Sequence, residues 1–364
     1  MSKVRVAIIG QGRSGRDIHA HNLKTIPEKF EIVAAVDPMK DRQARAKEEL
    51  RCDVYGDYKE LFALKDRIDL VVNATPSYLH ATVTLDLLEN GFNVLSEKPF
   101  AKTAAEIDGL IEASKRKNVL LAIFQQSRFN PCFMEVKKIL DSGILGDIIQ
   151  ISMRVNGFQR RWDWQTVQDF TAGSLYNTGP HPVDQALRFL DYEGMPDVKA
   201  YMRCVNTYGD AEDYVKLILT AVGKPVIDVE IASCCPYPEN WINVYAQRGG
   251  LKCDGTRIDY KYYKPEESTK KHLILEPLQK ADGTPSYCTE TPPLKWYEES
   301  WLMSETSINN MNIFESLTID LYNMLYGVLK EGKELTITPK QVRQQIAVME
   351  EAHRQCPLPK TVNV

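Results

Sequence analysis

Two short segments of the 364-residue chain carry side chains suited to holding a hydroxyl group and moving its proton. The first is residues 97–99, with the sequence E-K-P. Here Lys98 can hold a substrate hydroxyl, and it can carry protons if burial or positive neighbours lower its pKa. The second contains His181, whose ring changes charge near neutral pH, and Asp184. Three residues apart on a helix, the two share a face, so Asp184 can orient the ring.

Each of these residues also has an ordinary structural interpretation. Charged side chains are mostly exposed, so a lone lysine before a proline is usually a surface residue. A single histidine near the start of a helix is more often structural than catalytic. Tyr176 and Asn177, which precede it, fit an ordinary turn equally well. Neither segment identifies an active site by itself.

A glycine-rich turn near the amino terminus indicates nucleotide binding. It follows a short apolar run and opens a predicted helix, and its residues are Gly10, Gln11, Gly12, Arg13, Ser14 and Gly15. In a G-x-G-x-x-G motif the glycines permit the tight turn, the approach of a pyrophosphate and close packing of helix on strand. The amino terminus of the helix supplies N–H groups and a partial positive charge for the phosphates. The alternative is a simple strand-to-helix turn.

The choice of dinucleotide depends on Asp37, which ends the second predicted strand 22 residues after Gly15. Its carboxylate can accept hydrogen bonds from a ribose 2′-hydroxyl and would repel a 2′-phosphate. This pattern favours NAD. Lys40 and Arg42 lie close enough in the sequence to accommodate a phosphate, so NADP remains open.

Further cofactor contacts are expected where the next two strands end. Thr75, Pro76 and His80 follow one predicted strand, and Glu97 and Lys98 follow the other. Ligands of open α/β sheets bind just outside the carboxyl ends of the strands. The sequence therefore predicts that these five residues line the cofactor site. Pro99 adds an expectation of a cis peptide bond after Lys98, since cis bonds occur almost only before proline.

The elements that must position these residues alternate in the first third of the chain. Helical patterns separate apolar runs at residues 4–9, 30–36, 68–74, 93–96 and 119–124. Continuous apolar strands alternating with helices predict a doubly wound parallel sheet with both faces covered. The capping box at Thr103 and Glu106 predicts the start of one of the helices.

The pattern changes after about residue 125. Strand-like runs then follow one another with few helices between them, at residues 148–155, 199–205, 214–220, 226–232, 241–246 and 258–263. This order predicts a second α/β domain with an open, largely antiparallel sheet. Helices are predicted at 131–140, 181–190, 310–330 and 338–353, and 264–300 is predicted to be a long excursion. We expect domains at 1–125 and 126–364, with the closing helix able to pack back on the first.

Composition restricts the classes of partner. The chain is 43% hydrophobic and 26% charged, which is typical of a globular protein, and its formal net charge is −4. That charge argues against nucleic acid or an anionic membrane surface as the main partner. No apolar run is long enough to cross a bilayer. The eight cysteines are scattered without metal-ligand spacing, so we expect reduced thiols, a cytoplasmic location and no metal.

Taken together, the motifs resemble those of the Gfo/Idh/MocA oxidoreductases. The resemblance rests on the glycine turn after the first strand, the E-K-P lysine and the pattern G-x-L-x-N-x-G-x-H-x-x-D at residues 173–184. It extends to R-F-N-P at residues 128–131. The string G-P-H-P-V-D-Q-A-L at residues 179–187 is most similar to the scyllo-inositol dehydrogenase branch.

The resemblance implies a Rossmann domain that binds NAD(P), a second domain whose open sheet makes a homo-oligomer (a dimer or tetramer), and hydride transfer to or from a sugar, inositol or related polyol. It implies that Lys98 holds the reacting hydroxyl and His181 accepts its proton. The family usually has an aspartate where this chain has Asn177, and an amide does not accept a proton at neutral pH. Either His181 works with Lys98 alone, or Asp184 takes over the orienting role. The expected substrate contacts are Lys98, Arg128, Trp162, Trp164, Asn177 and His181.

Two other functions remain open. The same fold hosts NAD-dependent glycosidases, which oxidise the sugar only transiently and release product without net NADH. A catalytically silent sensor that binds a dinucleotide and a sugar is the second, and Asn177 is the feature that favours it. The tryptophans also have an ordinary alternative, which is packing in the core or at an interface.

Overall fold

The computed structural model describes residues 2–270, 272–288, 294–303 and 312–364. The first sheet has six parallel strands in the order β3-β2-β1-β4-β5-β6. Its strands are β1 (Val4–Ile9), β2 (Phe30–Val36), β3 (Asp53–Tyr55), β4 (Leu70–Asn73), β5 (Val94–Ser96) and β6 (Leu121–Ile123). This order is that of a doubly wound dinucleotide-binding sheet. The predicted fold class of the first domain is confirmed.

Helices connect these parallel strands. A π-helical turn, Ser14–Ala20, runs directly into the first α-helix, and the capping box at Thr103 and Glu106 is formed as predicted. The helices are α1 (His21–Thr25), α2 (Lys40–Leu50), α3 (His80–Glu89) and α4 (Ala104–Lys117). Because parallel strands need crossover connections, these helices cover the faces of the sheet.

The second sheet has eight strands in the order β14-β13-β12-β11-β7-β10-β9-β8. They are β7 (Ile148–Asn156), β8 (Asp197–Arg203), β9 (Tyr214–Thr220), β10 (Val226–Ala232), β11 (Ile242–Ala246), β12 (Gly249–Cys253), β13 (Arg257–Tyr263) and β14 (Trp296–Leu302). Within the described residues, β7 and β10 are parallel and the other neighbours are antiparallel. The predicted largely antiparallel sheet is confirmed.

Three strands were not predicted from the sequence, and each omission has a local cause. β3 has only three residues, and β12 begins with Gly249 and Gly250, a residue type depleted in strands. β14 begins inside the predicted excursion at residues 264–300 and ends two residues beyond it, and its charged run Glu298-Glu299 hides the alternation. Residues 310 and 311 of the predicted helix 310–330 lie outside the described residues.

The helices of the second half are α5 (Pro131–Asp141), α6 (Ser174–Asn177), α7 (Pro180–Phe189), α8 (Ile313–Glu331) and α9 (Pro339–Gln355). Helix α9 contacts α4 and β6 as well as α7 and β8. Helix α8 contacts α1 and β1. The two closing helices therefore pack against the first sheet. We propose a boundary at residue 125, between β6 and the 3-10 helix Gln126–Phe129. No helix in the described part of the chain is long and apolar enough to cross a membrane.

The register of the first sheet aligns the strand ends that matter. Ile9 of β1 pairs with Asn73 of β4, which in turn pairs with Ser96 of β5. The residues that follow these strands are therefore neighbours at one edge of the sheet. This edge brings together the glycine turn, Thr75 and Lys98.

The close packing of the glycine turn makes a testable prediction. A Cβ at Gly15 would lie 1.7 Å from the Gly10 carbonyl oxygen, whereas a Cβ at Gly109, inside α4, meets no atom within 4 Å. We expect Gly15→Ala to lower the free energy of unfolding by about 1–3 kcal/mol through overpacking. Gly109→Ala should raise it by about 0.5–1 kcal/mol, because alanine is the better helix former.

Urea denaturation of the two variants and the wild type measures both effects. Equal midpoints for Gly15→Ala and the wild type would contradict the close approach of helix and strand.

Candidate functional site

The glycine turn leaves room for a ligand at one point. Gly10 has φ +86°, and a Cβ there would lie 2.3 Å from the Ala74 carbonyl oxygen, so this turn lies against the end of β4. At Gly12 the nearest atom to an added Cβ is Nη1 of Arg42, at 3.7 Å. The backbone at Gly12 is thus open to an approaching pyrophosphate, with guanidinium charge beside it. These features fit a dinucleotide.

The remaining residues of the turn surround this point. Gln11 is buried and its backbone N–H donates to Asp37, while Arg13 is exposed and Ser14 is half-buried at the start of the π-helical turn. These positions are compatible with the predicted cofactor contacts, which remain proposals.

Asp37 is already engaged within the protein. Its Oδ2 accepts from the N–H of Gln11 at 2.8 Å, and its Oδ1 accepts from the N–H of Met39 at 3.0 Å. Nη1 of Arg42 lies 3.4 Å from Oδ2 of Asp37. Asp37 is only 2% exposed. A ribose hydroxyl would therefore reach Asp37 only if Arg42 moves aside.

The segment after β4 divides into exposed and buried residues. Oγ1 of Thr75 donates to Oδ1 of Asn73 at 2.7 Å, and Pro76 is exposed next to it. His80 does not line the cofactor site as predicted. It is 2% exposed, with Nδ1 lying 2.7 Å from the Pro99 carbonyl oxygen and Nε2 lying 2.8 Å from the Thr75 carbonyl oxygen. Both nitrogens are occupied, so His80 braces the two strand ends instead of contacting a cofactor.

Lys98 reaches from the first sheet to the second half of the chain. Its Nζ donates to the carbonyl oxygen of Asn177 at 2.7 Å. Burial lowers the pKa of Lys98, the charge of Glu97 opposes this change, and the charges of Arg13 and Arg161 add to it. The peptide bond between Lys98 and Pro99 is cis, as expected.

Glu97 does not face the cofactor as predicted. It is 5% exposed, and its Oε2 accepts from the backbone N–H of Lys98 at 3.0 Å. Its Oε1 lies 3.3 Å from Nε2 of His19. Burial favours the neutral acid, but the contact with His19 and the charges of His19 and Lys98 outweigh it and hold the pKa of Glu97 at about 2. The carboxylate therefore acts on the site through Lys98.

His181 lies near the first turn of α7, close to Lys98. Its Nδ1 lies 3.0 Å from Oγ of Ser127, and no partner for Nε2 occurs among the residues that the structure describes. Burial and then the charge of Lys98 lower the pKa of His181 to about 3, with Glu97 opposing them. The ring is therefore neutral near pH 7. Ser127 was not singled out from the sequence, since a serine in a loop carries no distinctive signal.

The predicted contact between Asp184 and His181 is not formed. Asp184 is fully buried, and both of its carboxylate oxygens are bonded to Arg128, with Oδ2 at 3.0 Å from Nε. Its Oδ1 also accepts from the hydroxyl of Tyr192 at 2.5 Å. A buried guanidinium requires a carboxylate partner, and Arg128 recruits Asp184 for that purpose.

This pair also corrects the prediction for Arg128. The residue is 7% exposed, and its Nη1 donates to Oε1 of Gln341 in α9 at 2.7 Å. It joins the segment after β6 to α7 and α9, so it holds the interior together instead of contacting substrate.

The two tryptophans have different surroundings. Trp162 is 83% exposed, whereas Trp164 is 39% exposed. Trp164 makes edge-to-face contacts with Tyr78 and Phe170, with ring centroids 6.2 and 6.3 Å apart. Oγ of Ser77 donates to the Phe170 carbonyl oxygen at 2.8 Å. This aromatic cluster joins the loop of residues 157–170 to the segment after β4, beside the site.

No group of three or more His, Cys, Asp or Glu side chains is arranged to hold a metal ion in residues 2–270, 272–288, 294–303 and 312–364.

The low pKa of His181 makes a prediction about acid stability. The unfolded chain binds a proton at this histidine near pH 6.5, whereas the folded chain does so only near pH 3. Between these values the unfolded state holds more protons, so the free energy of unfolding falls as the pH drops. In His181→Gln this contribution is absent, and we expect a smaller loss of stability between pH 7 and pH 4.5.

Urea denaturation at the two pH values checks this, with exposed His272→Gln as the control. If His181→Gln and the wild type lose equal stability, His181 is not neutralised by its surroundings.

Two family models match the sequence. The "Oxidoreductase family, NAD-binding Rossmann fold" of GFO_IDH_MocA matches residues 4–125, and the "GFO/IDH/MocA C-terminal domain" matches residues 133–252. An uncharacterized oxidoreductase of Schizosaccharomyces pombe, C115.03, is 30% identical over 97% of this chain and 97% of its own. The scyllo-inositol 2-dehydrogenase (NADP(+)) IolW of Bacillus subtilis is 30% identical over 59% of each chain.

A third relative is named for a different activity. The 2,7-anhydro-N-acetylneuraminate hydratase of Mediterraneibacter gnavus is 26% identical over 78% of this chain and 75% of its own. Among solved structures, the WlbA dehydrogenase of Bordetella pertussis, in complex with NADH and UDP-GlcNAcA, superposes with a TM-score of 0.77. The superposition covers 99% of both chains at 20% identity, so it establishes similarity of fold alone.

Proposed function

The chain belongs to the Gfo/Idh/MocA family of oxidoreductases, and on this premise we propose that it transfers a hydride between NAD and a secondary hydroxyl of a sugar, an inositol or a related polyol. The family domain matched by residues 4–125 is an NAD-binding Rossmann fold. The observation that carries the proposal is the 2.7 Å hydrogen bond from Lys98 Nζ to the carbonyl of Asn177. It joins the lysine at the edge of the first sheet to the segment that carries His181.

Binding of the cofactor is assigned to the edge where β1, β2 and β4 end. The open backbone at Gly12 would approach the pyrophosphate, with Arg13 and Ser14 beside it. Asp37 would hold the ribose. Thr75 and Pro76, which follow β4, would border the part of the cofactor between the glycine turn and Lys98. When bound, NAD supplies the acceptor or donor of the hydride.

Lys98 is proposed to bind the reacting hydroxyl. As an ammonium it donates hydrogen bonds, one of which already goes to Asn177. The others are free to orient the substrate oxygen and to stabilise negative charge as the hydroxyl loses its proton. This interaction strengthens as the charge develops, so it accelerates the reaction instead of only binding substrate.

His181 is proposed to take the proton. We assign the proton of its neutral ring to Nδ1, which then donates to Oγ of Ser127 and leaves the lone pair on Nε2 as the acceptor. Ser127 thus supplies the orientation expected from Asp184. Asn177 contributes through its backbone carbonyl, so the step does not require the aspartate that the family usually has there. Trp162 and Trp164 are proposed to border the sugar.

The second sheet is proposed to form the contact between copies of this chain. In β8 buried residues alternate with exposed ones and in β9 with half-buried ones, so the described part of the chain covers one face of these strands less than the other. Size-exclusion chromatography with light scattering measures whether the protein is a dimer or a tetramer.

The assignment of Lys98 makes a prediction about activity. Replacing Lys98 by alanine should lower kcat about 10²–10⁴-fold, as expected for loss of a group that acts in proton transfer and charge stabilisation. Among the described residues the hydrogen bond of its Nζ goes to Asn177 and not to the glycine turn, so NAD affinity should change much less than kcat. Reduction of NAD at 340 nm against a panel of polyols and sugar derivatives measures the first quantity, and fluorescence titration measures the second.

The matched control is Lys102→Ala, which removes an exposed lysine four residues away. Activity that survives Lys98→Ala would refute the assigned role. Tight NAD binding without turnover of any polyol by the wild type would instead favour the sensor.

A second candidate function is reversible oxidation without net redox change. The match to the M. gnavus hydratase favours it, because that relative is named for addition of water and not for oxidation. Such an enzyme would convert substrate with bound NAD and accumulate no NADH. We expect the dehydrogenase to form product and NADH in equal amounts, which chromatography combined with absorbance checks. Product formation without NADH would favour the second candidate.

A further inference from the structure

Three fully or almost fully buried polar residues lie behind Lys98. Their burial keeps them out of the cleft, by which we mean the open space bordered by the glycine turn, Lys98 and His181. His19 and Tyr322 are 0% exposed and Glu97 is 5% exposed. They come from three elements, which are the π-helical turn after the glycine motif, the end of β5, and α8. None of them faces the cleft.

The three side chains form one continuous chain of contacts. The hydroxyl of Tyr322 lies 2.7 Å from Nδ1 of His19, and Nε2 of the same ring lies 3.3 Å from Oε1 of Glu97. The ring also makes edge-to-face contacts with Phe124 and Tyr322, at centroid separations of 4.6 and 6.1 Å. These two aromatic contacts restrict the orientation of the ring.

The tyrosine determines which ring nitrogen carries a proton toward Glu97. If His19 is neutral, the Tyr322 hydroxyl donates to Nδ1, so the proton is on Nε2. If His19 is charged, both nitrogens carry protons and Nδ1 donates to the hydroxyl oxygen. In either state Nε2 carries a proton, and Oε1 of Glu97, 3.3 Å away, is its electrostatic partner and not a well-aligned hydrogen-bond acceptor. Without the hydroxyl, a neutral ring can shift its proton to Nδ1 and turn a lone pair toward Glu97.

The position of Glu97 affects Lys98 through a hydrogen bond and through its charge. Its Oε2 accepts from the Lys98 backbone N–H at 3.0 Å, and its charge acts on the ammonium of the same residue. A carboxylate that lost the proton-bearing nitrogen beside it in this buried place would take up a proton more readily, because less charge would then oppose the effect of burial.

We propose that Tyr322 and His19 are positioning residues, which hold Glu97 as an oriented anion behind Lys98 and so keep Lys98 charged and aimed at the substrate. Helix α8 then helps, through Tyr322, to set the charge and direction of the Lys98 side chain, although none of its described side chains enters the cleft. The inference rests on the proposed function only in treating Lys98 as the reacting lysine.

Other charged or titratable groups also act on this pair. These groups lie around Glu97 or Lys98, and none of them is substituted in the variants below. They are His80 beside Glu97, Arg13 and Arg161 beside Lys98, and His181 between α7 and Lys98.

The test measures the protonation of Lys98 directly, without substrate. Protein labelled with 13C at lysine Cε is titrated by NMR, and the Lys98 resonance is identified by its absence in Lys98→Ala. In Glu97→Gln the midpoint should move to lower pH by about one unit, because the ammonium loses its counter-charge. In Tyr322→Phe it should move the same way by about half a unit.

The matched control is Tyr326→Phe, which removes a hydroxyl one turn further along α8 from a residue that also packs on Phe30. Its Lys98 midpoint should equal that of the wild type. An unchanged midpoint in Tyr322→Phe, or an equal shift in Tyr326→Phe, would overturn the proposal. These results are distinct from failure of the proposed function, which appears as activity that survives Lys98→Ala.

Discussion

The site depends on holding one ammonium group partly out of water. Lys98 is half-buried where the first sheet meets the segment that carries His181, and its Nζ bonds to the Asn177 carbonyl. A buried charge is costly unless charge and hydrogen bonds compensate it. Much of the surrounding structure supplies that compensation. Glu97 provides the opposite charge, while burial and then the charge of Lys98 keep His181 neutral.

The compensation extends to the closing helices. Tyr322 of α8 reaches Glu97 through His19, and Gln341 of α9 bonds to Arg128, which in turn holds Asp184 of α7. Residues far along the chain therefore complete the interior behind the nucleotide-binding sheet. The two sheets are linked by polar networks as well as by apolar packing, and such networks tolerate few arrangements because every buried group needs its partner.

Much of the architecture could be predicted from the sequence because it follows from local patterns. Apolar runs separated by helical segments specify a parallel sheet, and the ends of β1, β4 and β5 then meet at one edge. Lys98 and Thr75 were found in this way. His80 follows the same pattern, yet its ring turned inward to two carbonyl groups, because the direction of a side chain depends on neighbours that the pattern does not contain.

The sequence by itself determined the two sheets, the dinucleotide turn and the identity of the two residues proposed to act on the hydroxyl. These features depend on residue type and spacing within short stretches. Only the tertiary structure decided the partners, assigning Asp184 to Arg128, Ser127 to His181 and Glu97 to His19. The reason is physical: a buried polar group takes the nearest group of complementary charge or hydrogen-bonding capacity, and in a folded chain that group often lies far outside the local sequence pattern.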